Sequence, residues 1–249
     1  MPDHPHLKDW AVPLQSIRKE IITLLFNRYI FRTIQEITRR NRRLLNAPGP
    51  FTQWTQILYA VTNGVAVRRL SSQSHKKDDV SFIRLLDMII PHAVVLYGQL
   101  EHHFPDDLND PSKQKDDDRQ GEIDVCKRLI GEDRKILLKA TEKTVHFASK
   151  RVAHHNTGVP VRTTFADLDH AIDTLKTLAE KYVSLIFDEK KDLYQEMIQT
   201  KLRKDWDAIF LEPWATREML ALRLGEMVPP DTDKLPPGKL THRPSRQRQ

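Results

Sequence analysis

Six apolar positions, Leu168, Ile172, Leu175, Ala179, Tyr182 and Ile186, follow one another at steps of four, three, four, three and four residues. Only a helix places side chains at those intervals on one face. A stripe that long has to be buried against other elements, so the segment demands partners with stripes of their own. Thr164 stands three residues before Asp167, in the pattern of a capping box with the shorter acid, and marks where this helix should open.

The partners are present. From Leu14, apolar residues at Ile17, Ile21 and Leu24, then Ile30, Ile34, Ile37 and Leu44, recur every three or four positions until Ala47-Pro48-Gly49-Pro50 stops the run. A second helix is expected after Thr52, read as its N-cap, through Ile57, Val61 and Val65 to about Leu70. Between 79 and 102 the apolar groups Ile83, Leu86, Ile90, Val94 and Tyr97 keep helical spacing, and Pro91 forces a bend or a break because it has no N–H to give the preceding turn. Leu129, Ile136, Leu137, Ala140 and Phe147 define a further helix over 123–153, ended by Asn156-Thr157-Gly158-Val159-Pro160. Segments 190–210 and 216–226 also read as helices, with Pro213 and Trp214 between them. Strand-like alternation is nowhere convincing. The expected fold is all-α, an antiparallel helical bundle with flanking helices, preceded by an arm (1–10), filling 11–226 and followed by a basic, proline-rich, disordered tail (227–249).

Composition narrows the function. Among 249 residues there are only 8 glycines, with no G-x-G-x-x-G and no G-x-x-x-x-G-K-[ST] run, so the backbone cradles of Rossmann and P-loop enzymes are absent. The chain carries 40 Lys and Arg against 34 Asp and Glu, a net +6. Five of those charges (Lys234, Lys239, Arg243, Arg246, Arg248) lie in the tail with no acid among them from 234 onward. The body is therefore near neutral, and the basic balance alone does not argue for a polyanion partner. The single Cys126 cannot pair internally and reads as a small buried apolar residue in a reducing, cytoplasmic chain. The opening residues Met1 to His6 lack the basic and apolar stretches of a secretory leader, and the most apolar window, 88–98, is interrupted by Pro91 and His92 and is short for a bilayer, so no membrane partner is expected.

Other charged stretches have bland explanations. Arg39-Arg40-Asn41-Arg42-Arg43 closes a helix, where cations complement the dipole. The acidic run 105–121 suits a solvated loop and lacks the spacing of a calcium loop. His102-His103 and His154-His155 are adjacent pairs, an arrangement that rarely brings both rings to one ion, and no His-x3-His occurs, so neither a metal nor any other cofactor is expected. The four tryptophans, Trp10, Trp54, Trp206 and Trp214, read as packing or subunit-contact residues.

The densest functional chemistry is at the end of the fourth helix: His146-Phe147-Ala148-Ser149-Lys150-Arg151-Val152-Ala153-His154-His155-Asn156. Imidazole gives and takes protons near neutral pH, and an adjacent cation stabilises charge on a phosphate, so the cluster has the parts for metal-free RNA cleavage. The same residues also suit a helix C-terminus.

The run Lys150-Arg151-Val152-Ala153-His154, a short loop with Pro160, and Phe165-Ala166-Asp167-Leu168 opening a regular helix resemble the HEPN superfamily, in particular its abortive-infection AbiU-like branch. Trp54 to Leu70, with Arg68 and Arg69, and Val80-Ser81-Phe82-Ile83-Arg84-Leu85-Leu86 are similar to that branch's middle region, and the resemblance spans about residues 11 to 190. It implies a cytoplasmic helical homodimer acting on RNA, as a metal-independent endoribonuclease or as a non-catalytic module binding RNA, a nucleotide or a protein partner such as an antitoxin. The catalytic set it implies is His154 as general acid/base with Lys150, Arg151 and His155, and Ser149, Asn156 and Arg69 on the substrate. The family's signature arginine falls on Ala148, which has no charge, and Lys150 substitutes a point charge for a bidentate guanidinium.

Overall fold

A computed structural model describes residues 5–40, 49–74, 79–103, 119–153 and 163–201. The chain divides into two units, Met1–Arg203 and Lys204–Gln249, and every described residue belongs to the first. The expected helix over 216–226, residues 202–210 of the one expected over 190–210, the tail, Trp206, Trp214 and residues 105–118 of the acidic run lie outside the described residues, and 119–121, expected in that loop, are helical.

Among the described residues the fold is entirely helical, without a strand. α1 (Pro5–Arg40) is followed by α2 (Pro50–Leu70), α3 (Phe82–Ile89), a 3-10 segment (Ile90–Leu96), α4 (Tyr97–His103), α5 (Arg119–Phe147), a π turn (Ala148–Ala153), α6 (Phe165–Phe187) and α7 (Leu193–Lys201). α6 is packed by both α5 and α1, α2 lies on α1, α5 and the π turn, and α7 lies on α1.

The side-chain pairs fix the directions. Glu20, Asn27 and Phe31 of α1 meet Arg69, Asn63 and Tyr59 of α2 in that order, so the two helices run oppositely. Arg28 and Arg32 meet Asp173 and Asp169, and Asp133 and Lys143 meet Tyr182 and Asp167, so α6 is antiparallel to both α1 and α5. The expected antiparallel bundle is what forms.

All six stripe residues of α6 are buried, and each large one stabilises the fold by about 1.5–3 kcal/mol through the apolar area removed from water. The helix opens at the capping box: Asp167 N–H donates to Thr164 Oγ1 (3.1 Å) and Thr164 N–H donates to Asp167 Oδ2 (2.9 Å). One polar cluster interrupts the core. Tyr182 O–H donates to Asp133 (3.0 Å) and Lys181 Nζ lies 3.2 Å from the same carboxylate oxygen. Burial, and then the Asp133 charge, push the Tyr182 phenol well above its ordinary pKa. Cys126 is buried, and desolvation pushes its thiol up to about 11.

Several boundaries and faces differ from those expected. α1 begins at Pro5, so most of the supposed arm is its first turns, and Leu7 and Trp10 are in the core. α2 starts at Pro50 with Gly49 as N-cap, two residues before Thr52, because proline at the first helical position gives up only an N–H that would be unsatisfied anyway. Its buried face is Thr55, Tyr59, Asn63, Gly64, Val67 and Leu70, whereas Ile57 and Val65 are exposed. Ile136 of α5 also faces outward, and Trp54 is 56% exposed, unlike Trp10.

Pro91 bends the 82–103 segment as its chemistry requires, through a 3-10 stretch in which His92 leaves helical geometry (φ −118°, ψ 23°). By length and composition this 22-residue stretch is apolar enough to cross a bilayer. Phe82, Ile83, Leu85, Leu86, Ile89, Leu96 and Leu100 are all in the bundle core.

Candidate functional site

The end of α5 forms one wall of a polar groove. Lys139, Glu142 and His146 follow at steps of three and four residues, which keeps them on one side of the helix, and Lys150 joins them from the π turn that follows. Together with Ser149, and with Ser71 and Gln73 beyond the end of α2, they line a cavity of about 530 Å³. Across Ser71, Gln73 and Val145 a second cavity of about 410 Å³ adds Arg68, Arg69 and Asp79. The groove thus draws cations from two helices.

Both walls are held by hydrogen bonds. Ser71 Oγ donates to Val67 O (2.7 Å), Ser72 Oγ donates to Asp79 (3.2 Å), and Ser81 Oγ donates to Ser72 O (2.8 Å), which fixes the turn after α2. On the other wall α5 passes into a π turn at Ala148–Ala153. Such one-turn insertions recur at functional sites because they rotate the residues beyond them out of the helix's own register. The start of α6 is tied to α5: Lys143 Nζ donates to Asp167 (2.8 Å) and Thr163 Oγ1 donates to Lys143 O (3.0 Å). The Lys143 ammonium, and next the Thr164 backbone, hold the Asp167 carboxyl down at about 2, and Asp167 raises the lysine in return.

The structure sorts the residues singled out in the sequence. Lys150 is exposed and Ser149 half-buried, and both reach the groove beside His146. Arg69 is on the neighbouring wall, but its guanidinium donates through Nε to Glu20 (3.0 Å) and through a second nitrogen to the same carboxylate. Arg151 belongs to the π turn, and its side chain lies outside the described residues, as do His154, His155 and Asn156. Ala148 is fully buried where α2 passes, and a methyl placed on Gly64 would lie 3.9 Å from its own. Position 148, where the resemblance would place an arginine, therefore faces the bundle and not the groove.

Lys139 and Gln73 line the site although the sequence pattern does not single them out, and Arg68 entered there only with the resemblance of 54–70. Lys139 had a signal, since it precedes Lys150 by three helical turns. Gln73 had none, because only the packing of α2 on α5 brings it near.

Chemically, the groove can bind an extended anion through ammonium and guanidinium groups and offers the His146 imidazole for proton exchange. His102 and His103, whose adjacency argued against a metal, come together here with Asp188, away from this groove. Comparison with protein-family models, with curated proteins and with solved structures finds no match to this chain.

Proposed function

We propose that this chain is a HEPN-type defence or stress protein that acts on RNA through the segment 146–156, as a homodimer. The observation that carries the reading is the convergence of His146, Ser149 and Lys150 on one groove with Lys139, next to Arg68 and Arg69. The Lys139 and Lys150 ammonium groups can pair with phosphates, and with Arg68 they outnumber Glu142 and Asp79 in the lining, an excess that supports sequence-independent RNA affinity. His154, eight residues beyond His146, is the proposed general acid/base of a metal-independent cleavage, with Lys150 and Arg151 holding the phosphate and His155, Asn156 and Arg69 assisting.

The burial of Ala148 favours the quieter form of this reading. Without a guanidinium at that position, transition-state charge falls to Lys150, a point charge that grips a phosphate less specifically. On this form the protein binds RNA, a nucleotide or a protein partner such as an antitoxin, and turns over slowly or not at all.

Incubating purified protein with RNA in the presence of chelator, beside the His154→Ala and Lys150→Ala variants, separates the two. Cleavage by the wild type that His154→Ala abolishes establishes the enzyme. Salt-sensitive binding without cleavage establishes the binding module. Equal cleavage by wild type and His154→Ala removes the catalytic assignment, and no RNA binding even at low salt removes both forms.

A further inference from the structure

Two helices bring metal-ligating side chains together at their C-terminal ends, away from the polar groove. α4 carries His102 and His103 in its last turn, and α6 ends at Phe187 with Asp188 as its C-cap in the left-handed conformation (φ 55°, ψ 39°). α4 packs on α6. His103 Nε2 lies 2.8 Å from an Asp188 carboxylate oxygen. The two imidazoles meet edge to face with centroids 4.6 Å apart, and one ligand atom from each of the three residues lies within 4.8 Å of the others.

Neighbours on a regular helix point about 100° apart, which is why the adjacent pair was not expected to share an ion. The fold overcomes that spacing by supplying a third donor 85 residues from His103, on another helix. α6 presents its C-terminal carbonyl end here, the end that favours a cation.

We propose that His102, His103 and Asp188 form a site for one divalent transition metal of the zinc class. Two imidazoles and a carboxylate are a zinc donor set, and three protein ligands leave one coordination position for water. Magnesium and calcium, which prefer oxygen donors throughout, do not suit it. Bonds of about 2.1 Å in a tetrahedral site need donor atoms roughly 3.4 Å apart, so on binding the separations of up to 4.8 Å shrink while the 2.8 Å His103–Asp188 pair opens slightly. The residues are suited to that movement. The His103 side chain is only 6% exposed and acts as the fixed arm, while Asp188 is 53% exposed and His102 lies on the surface. The ion bridges His103 and Asp188 and clamps the end of α4 to the end of α6.

None of these three residues lines the polar groove, so the two proposals fail separately. The full chain, stripped with chelator, is titrated with Zn²⁺ alone by calorimetry and with Co²⁺ by visible absorption. The expected result is one equivalent per chain and a rise in Tm of a few degrees. His102→Ala and Asp188→Asn, both at exposed positions that leave the core intact, weaken binding roughly tenfold or more. His170→Ala, an exposed histidine of α6 outside the cluster, binds as the wild type does. All of these variants bind RNA as the wild type does, which marks the loss as one of metal alone. Zinc taken up equally well by the His102→Ala/Asp188→Asn double variant, or not taken up by the wild type, overturns the site.

Discussion

α2 and α6 are helices of similar length, 21 and 23 residues, that solve burial in opposite ways. α6 turns its aliphatic stripe inward and leaves no large hydrophobic side chain exposed. α2 buries Tyr59, Asn63 and Gly64 and leaves Phe51, Trp54, Ile57, Leu58 and Val65 exposed. The inward polar groups of α2 are matched one by one. Asn63 accepts from Asn27 Nδ2 (3.1 Å) and donates to Tyr59 O (2.9 Å), and Tyr59 O–H donates to Asp169 (2.6 Å) while its ring stacks on Phe31 with centroids 4.2 Å apart. Burial and that carboxylate raise the Tyr59 phenol above its ordinary pKa. The difference teaches that a helical period identifies a helix, whereas its inward face is decided by what the neighbours can satisfy.

The two modes should break at different costs. Leu175→Ala, at a fully buried position of α6, removes aliphatic volume from a site with little room to collapse, and urea unfolding should register a loss of about 2–5 kcal/mol. Asn63→Ala strands the Asn27 amide and should cost about 1–3 kcal/mol. A double-mutant cycle with Asn27→Ala should return a clear coupling, because removing both partners leaves nothing unpaired. Were Asn63→Ala silent, the claim that α2 is held by matched polar groups would be wrong.

Smaller effects sharpen the contrast. Thr164→Ala removes the cap of α6 and should cost about 1 kcal/mol. Because the folded Asp167 carboxyl sits at about 2, below its ordinary value of 3.8, its contribution is fully present above pH 4 and is lost as pH falls from there through 2. Asp167→Asn should therefore flatten the acid limb of stability in that window, measured by circular dichroism. Ile57→Ala, on the exposed face of α2, should stay within about 0.5 kcal/mol of wild type. A loss comparable to that of Leu175→Ala would mean that this face is covered in solution.

What could be read in the sequence was local. The Thr164–Asp167 box, the Pro91 bend and the α6 stripe each depend on residues within a turn or a few turns of one another. The inward face of α2 depends on Asn27 and Asp169, 36 residues before Asn63 and 110 after Tyr59, and no periodicity reports such partners. The groove divides in the same way. His146, Ser149 and Lys150 were legible because one helix end carries them. The commitment of Arg69 to Glu20, the wall made by Gln73, and the approach of Asp188 to two histidines all require the tertiary fold. Ala148 could be read as uncharged, but only packing against α2 reveals that its position points inward.

If the α5 wall of the groove holds an extended polyanion, as proposed, Lys139 and Lys150 carry part of its salt dependence. Fluorescence anisotropy of a labelled single-stranded RNA across a salt series, with the wild type and a Lys139→Ala/Lys150→Ala double variant, tests it most directly. The account predicts weaker binding by the double variant and a log–log salt slope shallower by about 1.4, or about 0.7 for each lysine that had held a phosphate. Identical affinity and slope for both proteins would contradict it.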